Sequence, residues 1–409
     1  MPVFLAFWSG FASLSLEIVW SKLVGFRLFS LPQAFSIVLL SYLIGIAAGS
    51  WVGRKLCSGN SNLMQVSAKF LVVAGVIDML TPFFYPISIE LWPVLPTTMA
   101  LIFIGAMLKG VVFPIAHHLG SMNAEKSNLG QSISNVYFAN VLGATFGPVF
   151  VGFFLLDFVG LQKAFVLLGG SLILLGVYIF YRQRAYVNSI GACAALLVLL
   201  FLGGVSPSVL LLSLIRNDHG AEESLVHLIE NRYGIIYTLG NTNAGDVIYG
   251  GNVYDGRINT DVVLNSNKID RAYVSYLLRP EVSKVLVIGL SGGAWVEAIR
   301  HFPAVKKVDV VELNPGYVDL IKRYPSVAGL LLDEKVNLHI ADGRKWLNAS
   351  SEKYDLILMN TTFHWRAYSS NLLGVGFAEI AKAHLKEGGG VCVQQHVVAG
   401  FNHDRLQYI

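Results

Sequence analysis

Apolar residues come in long runs through the first half of the chain and in short runs through the second, so the two halves fold by different rules. The long runs occupy positions 3–24, 34–53, 68–89, 93–116, 132–156, 165–181 and 190–214. A hydrocarbon layer about 30 Å thick is crossed by about 20 helical residues, and the pattern predicts about seven spanning helices. The first run carries Glu17 in its middle, lacks a basic flank ahead of it and is followed by further runs. A cleaved signal peptide is therefore excluded and a retained helix predicted. Gly45, Gly49 and Gly53 recur every fourth residue in the second run, as do Gly143 and Gly147 in the fifth. That spacing lets helix backbones approach closely, and tight bundle packing is its expected meaning.

Past position 216 the period changes. Between 226 and 263 short apolar or alternating segments are separated by turn formers such as Gly250 with Gly251 and Asp255 with Gly256, which predicts a small antiparallel sheet of hairpins. After Arg279 and Pro280, apolar runs at 284–289, 307–313, 336–340, 354–359 and 390–395 alternate with helical stretches. Buried strands with a helix between each pair predict a parallel doubly wound sheet. The expected fold class is a multi-span α-helical membrane domain over 1–215, a small β-rich segment over 216–280, and an α/β Rossmann-like domain over 281–409.

Composition sharpens this division. With 54% hydrophobic and 14% charged residues the chain is too apolar for a soluble globule, where about a quarter of residues are charged. A net charge of +4 without a basic run interleaved with aromatics excludes nucleic acid as a partner. Cys57, Cys193 and Cys392 stand far apart, with neither metal-ligand spacing nor a disulfide framework, so no metal is expected. Glu17, Asp78 and Lys109 sit inside apolar runs, where each should face the bundle interior and find a partner; a carboxylate paired with Lys109 would suffice. Such residues also raise the alternative of a substrate or proton path.

The short runs end in candidate chemistry. Gly289-Leu290-Ser291-Gly292-Gly293 follows the first parallel strand, where glycines allow a tight turn and close backbone approach. Glu312 closes the second strand about 20 residues on, placed to accept hydrogen bonds from both hydroxyls of a ribose. Asp342 and Gly343 follow the third strand, where an acid can reach the exocyclic amine of adenine. Together they outline an adenosine pocket.

These residues, with Val-Glu-Leu-Asn-Pro at the second strand and Val253-Tyr254-Asp255-Gly256-Arg257 upstream, resemble the spermidine synthase (polyamine aminopropyltransferase) family, and the many-span first half resembles its bacterial membrane-fused branch. The resemblance implies decarboxylated S-adenosylmethionine as donor, its ribose held by Glu312 and its adenine by Asp342. It also implies an amine acceptor and polyamine biosynthesis. S-adenosylmethionine itself is the other donor to consider. A homodimer, contact with membrane lipid and a bacterial plasma-membrane location with the second domain in the cytoplasm belong to the same expectation. Counting Lys and Arg in the loops of seven spans places that domain outside; the cytoplasmic origin of sulfonium nucleosides argues the reverse.

Departures from the family pattern fall on the acceptor side. Where the family has an Asp in its glycine loop, Ser291 stands nearby; where it has Val-Asp-Ser-x-Asp after the fourth strand, this chain reads Met359-Asn360-Thr361-Thr362-Phe363-His364-Trp365; where it has Tyr-His-Glu, the chain reads Tyr273-Val274-Ser275. Carboxylates bind a polycation and tune its pKa, and an amide cannot serve as a base near neutral pH. His364 is the residue of that loop suited to general-base work, with Asn360 as a hydrogen-bond acceptor beside it. Tyr254, Asp255, Tyr273, Thr361, Trp365 and Arg366 are the remaining substrate-side candidates. Two other readings follow from the rewritten side: methyl or alkyl transfer to a membrane-delivered acceptor, and a nucleoside-binding transporter or sensor without catalysis. Comparable folds close with a further antiparallel strand pair, so the third domain is expected to be incomplete at its C-terminus.

Overall fold

The computed structural model describes residues 1–59, 62–122, 128–205, 208–220, 224–240, 243–360, 366 and 369–393. The chain divides into two compact units, one made mainly of residues 1–221 and the other mainly of residues 222 onward.

The first unit is helical: α1 (Pro2–Arg27), α2 (Gln33–Cys57), α3 (Leu63–Leu91), α4 (Val94–Gly110), α5 (Val112–Met122) and α6 (Leu129–Phe150), followed by Gly160–Arg182, Tyr186–Val205 and Val209–His219. Among the described residues six helical segments are long and apolar enough to cross a membrane, α4 and α5 together counting as one. Among the described residues the seventh predicted run does not form one such helix. It is divided between Tyr186–Val205 and Val209–His219, and the second of these ends on the polar Arg216, Asn217, Asp218 and His219.

The glycine stripes are contact lines. A Cβ added at Gly45, Gly49 or Gly53 would come within 2.6, 2.0 and 2.5 Å of the backbone oxygens of Phe103, Met107 and Val111, so α2 lies directly on α4 and the start of α5. Gly143 and Gly147 do the same toward Phe7 and Phe11, at 2.0 and 2.4 Å, joining α6 to α1. Neighbours that are backbone cannot move aside cheaply. Gly49→Val is therefore expected to destabilise this unit by about 2 kcal/mol or more, read as a lower unfolding midpoint of the detergent-solubilised protein. An unchanged midpoint would mean that the stripe is not a contact.

The second unit opens with an antiparallel sheet in the order β1 (Leu225–Asn231), β2 (Gly234–Leu239), β3 (Val247–Gly250), β4 (Val253–Arg257). A five-stranded parallel sheet follows, built from β5 (Lys284–Ile288), β6 (Lys307–Glu312), β7 (Val336–Ile340), β8 (Tyr354–Met359) and β9 (Leu385–Val393), in the order β7-β6-β5-β8-β9. Alternation puts Val285, Val287, Leu356 and Leu358 on one face and Leu286, Ile288, Ile357 and Met359 on the other, and both faces are packed. This is why these strands read as unbroken apolar runs. β9 begins five residues before its predicted start at 390, because Leu385 pairs with Tyr354 and, past a register break that holds Gly388 at φ +69°, pairing with β8 resumes at Gly390. Strand order reverses between β5 and β8, and in open α/β sheets ligands bind at the carboxyl ends of strands where the order reverses.

Candidate functional site

A cleft opens at that reversal, lined among others by Tyr254, Asp255, Asn267, Ser291, Gly292 and Asn360. Its floor is the loop after β5. Gly289 has φ +95°, and a Cβ there would sit 2.6 Å from the backbone oxygen of Asn360, so the two strand ends that flank the cleft touch and only glycine fits between them. Gly293, at φ +75°, turns the chain into the helix Ala294–Arg300. Between them Ser291 also adopts a left-handed conformation, φ +47°, which costs a non-glycine residue roughly 1 kcal/mol. Its hydroxyl donates to the Asp255 carbonyl oxygen, and this bond between the loop and β4 holds the conformation. The Ser291 hydroxyl is thereby committed to the scaffold. Gly292 faces Ile248 of β3, 2.6 Å from where a Cβ would stand, which sets how closely the small sheet packs on the loop.

Glu312 ends β6 and is 6% exposed. One carboxylate oxygen accepts the Leu290 N–H at 2.8 Å and the other accepts the Asn314 N–H at 2.8 Å. Two backbone donors fix the group beside the glycine loop and leave further lone pairs on both oxygens, the requirement for gripping two hydroxyls; Glu312 itself is not among the cleft-lining residues. Burial raises its carboxyl pKa above the ordinary range, against the two backbone N–H groups that lower it. Asp342 caps the helix Gly343–Ala349, one oxygen accepting the Lys345 N–H at 2.8 Å, while its other oxygen makes no bond among the described residues. Gly343, predicted to touch the nucleoside, has a packing reason of its own: a Cβ there would lie 2.7 Å from Ile288.

The residues expected on the substrate side are bonded to one another. The Asp255 carboxylate is only 7% exposed; Tyr317 donates to one of its oxygens, and Arg366 stands 3.5 Å from the other. The same guanidinium donates to the Gly250 carbonyl oxygen at 2.8 Å. Asp255 therefore lines the cleft with its charge paired to Arg366. Burial, reinforced by the Asp255 charge, holds the Tyr317 phenol well above its usual pKa, so it donates throughout the physiological range. Burial also raises the Tyr254 pKa, and this ring packs edge-on against Tyr249 with centroids 6.3 Å apart. Removing the Arg366 charge would take a cation away from the buried Asp255 carboxylate, and Arg366→Met is expected to destabilise the second unit by about 2–3 kcal/mol, read by denaturant unfolding.

Tyr273 corrects an expectation. It lies on the helix Asp270–Leu278 with its ring edge-on to Phe302, centroids 5.6 Å apart, and it is not among the cleft-lining residues. Phe302 precedes β6, at the opposite end of the strands from the cleft, so the aromatic pair is packing. Asn360 lines the cleft, its N–H donating to the Ile288 carbonyl oxygen at 2.9 Å. Thr361, His364 and Trp365 lie outside the described residues. Sequence reasoning missed Tyr317 and Asn267. Tyr317 carries no motif of its own and becomes significant only through its reach to Asp255, whereas Asn267, which accepts the Arg257 N–H at 2.8 Å, sits in a polar loop that gave no periodic signal.

Residues 271–409 match the spermine/spermidine synthase domain family. A polyamine aminopropyltransferase of Bacillus mycoides (strain KBAB4) is 36% identical over 120 residues, covering 29% of this chain and 43% of the relative. One of Clostridium botulinum (strain Eklund 17B / Type B) is 33% identical over 91 residues, covering 22% and 32%. The chain spans less than half the length of these curated relatives. Among solved structures, a spermidine synthase in complex with the transition state analogue AdoDATO aligns at 17% identity and a TM-score of 0.36, over 42% of this chain and 57% of that one. The spermidine synthase of Thermotoga maritima aligns at 17% identity and a TM-score of 0.35, over 41% and 55%. The stretch 271–409, which carries the strands of the parallel sheet and the glycine loop, is thus similar to the spermine/spermidine synthase domain family.

Proposed function

We propose that the chain is a membrane-bound aminopropyltransferase of the spermidine synthase type, with decarboxylated S-adenosylmethionine as donor and an amine as acceptor. The observation that carries the reading is the Glu312 carboxylate, buried, aimed by two backbone N–H groups and set beside the glycine loop at the reversal of strand order. In the proposed complex Glu312 accepts from the ribose hydroxyls and the uncommitted oxygen of Asp342 accepts from the adenine amine. The acceptor nitrogen attacks the aminopropyl carbon bound to the sulfonium. A C–N bond forms as the C–S bond breaks, methylthioadenosine leaves with the sulfur electron pair, and the nitrogen sheds a proton. Because the sulfonium is already activated, the protein supplies position and exclusion of water. Asn360 accepts a hydrogen bond from the incoming amine, and His364 is assigned the proton. The six apolar helices support placement in a membrane, and the cytoplasmic origin of sulfonium nucleosides supports a cytoplasmic second unit.

A second reading, methyl or alkyl transfer from S-adenosylmethionine to a membrane-delivered acceptor, is favoured by one feature: Asp255, the acidic residue lining the cleft, is neutralised by Arg366. Calorimetry of the full chain with each sulfonium nucleoside separates the two. Saturable binding of the decarboxylated form in preference to the other is the expected result, preference for S-adenosylmethionine selects the second reading, and binding of neither ends both.

A further inference from the structure

The charges that line the cleft of the second unit do not suit a polycation. Among its lining side chains Asp255 and Lys268 are the ones charged at neutral pH. The Asp255 carboxylate is already paired, with Arg366 3.5 Å from one oxygen and the Tyr317 hydroxyl donating to the other. Lys268 is exposed, and its ammonium makes no ion pair or hydrogen bond among the described residues. The segments that meet at the reversal of strand order add no acid: the loop 289–293 carries none, and positions 360–378 contain neither Asp nor Glu.

The place of Lys268 is set by the residues on either side of it. Asn267 accepts the Arg257 N–H at 2.8 Å, which ties this loop to the end of β4, and Ile269 is buried in the core of the unit. Between them the Lys268 backbone is left-handed, φ +54°, with its N–H donating to the Asn265 carbonyl oxygen at 3.1 Å. A flexible stem thus carries an ammonium into the cleft lining from a backbone held in one place.

A diamine with one nitrogen at the reacting carbon brings its second ammonium into a cleft that offers Lys268, and like charges at short range repel. An amine whose far end is a carboxylate brings one negative charge to that one ammonium. A phosphate monoester carries close to two and leaves a surplus. We propose that the acceptor is an amine bearing a carboxylate, of the amino-acid class, and that Lys268 determines this specificity by pairing with the carboxylate. The proposal deepens the aminopropyl-transfer reading and rests on it. The acceptor nitrogen bonds to the aminopropyl carbon, the C–S bond breaks with its electron pair going to methylthioadenosine, the nitrogen sheds one proton, and the carboxylate is unchanged.

Putrescine and 4-aminobutyrate are the probes, since each offers a primary amine on a short unbranched chain and they differ in the far group, ammonium against carboxylate. The full chain is supplied with decarboxylated S-adenosylmethionine, and methylthioadenosine release gives kcat/KM for each amine. Both amines are expected to react, 4-aminobutyrate with a kcat/KM roughly fivefold or more above that of putrescine, the size of a partly exposed ion pair. Lys268→Arg should keep this preference and Lys268→Glu should reverse it, with the KM for the donor unchanged in both. Equal or greater use of putrescine by the natural protein overturns the proposal, as does a preference that Lys268→Glu leaves in place. A Lys268→Glu protein whose donor KM moves while the acceptor ratio stays would assign the residue to the donor and overturn it too. Release of methylthioadenosine with neither amine would instead overturn the transfer reading on which it rests.

Discussion

Lys109→Met is expected to destabilise the first unit by about 3–5 kcal/mol, because it leaves Asp78 as a buried carboxylate with no counter-ion. Methionine matches the length of the lysine stem, so the change tests charge and not volume. The pair is almost fully removed from solvent, with 1% and 2% side-chain exposure, and both Asp78 oxygens are bonded to the ammonium. Removing both charges by Asp78→Leu with Lys109→Met is expected to recover most of the loss, since a buried pair replaced by apolar groups is commonly neutral or better. A double-mutant cycle on unfolding in detergent therefore gives a coupling of several kcal/mol. A single substitution costing less than about 0.5 kcal/mol would show that the pair is not buried.

Glu312→Gln is expected to weaken binding of the adenosyl donor by roughly a hundredfold or more, the loss of two charge-assisted hydrogen bonds of about 1.5–3 kcal/mol each set against what an amide still accepts. An amide offers one acceptor where the carboxylate offers two, and it must also serve either Leu290 or Asn314, whose N–H groups are each 2.8 Å from a Glu312 oxygen. The pKa direction adds a pH signature. Burial raises the Glu312 carboxyl above the ordinary carboxylate range, so on acidification it takes up a proton earlier than an exposed acid, and donor affinity falls as pH drops through that raised value. The sign for stability is opposite. A folded-state pKa above the unfolded one favours the protonated fold, so this contribution is present at low pH and is lost as pH rises through the folded value. Titration of donor affinity should show the acidic loss in the natural protein and none in Glu312→Gln.

The sequence was informative where a side chain answers to a local rule. Parallel strands buried on both faces gave apolar runs whose ends fell within a residue of β5, β6, β7 and β8, and the glycine stripes announced close helix contacts through spacing alone, without naming α4 and α1 as the partners. Glu312 was legible because its distance from the glycine loop follows from one helix and one strand. Arg366 was legible as a residue near the site but not as the counter-ion of Asp255. The two stand 111 positions apart, and no periodicity encodes which long-range charges meet. Tyr273 was misplaced for a related reason: a short aromatic helix before a strand reads the same whether it faces the cleft or, as here, Phe302 at the far end of the sheet.

The central claim is that the second unit of the chain transfers an aminopropyl group from a sulfonium nucleoside to an amine. Incubating the purified full-length protein with decarboxylated S-adenosylmethionine and putrescine, and following both products by mass spectrometry, tests it most directly. The account predicts methylthioadenosine and the aminopropylated amine in equal amounts, with both lost in Glu312→Gln. Formation of neither product, or release of S-adenosylhomocysteine when S-adenosylmethionine is supplied instead, would contradict it.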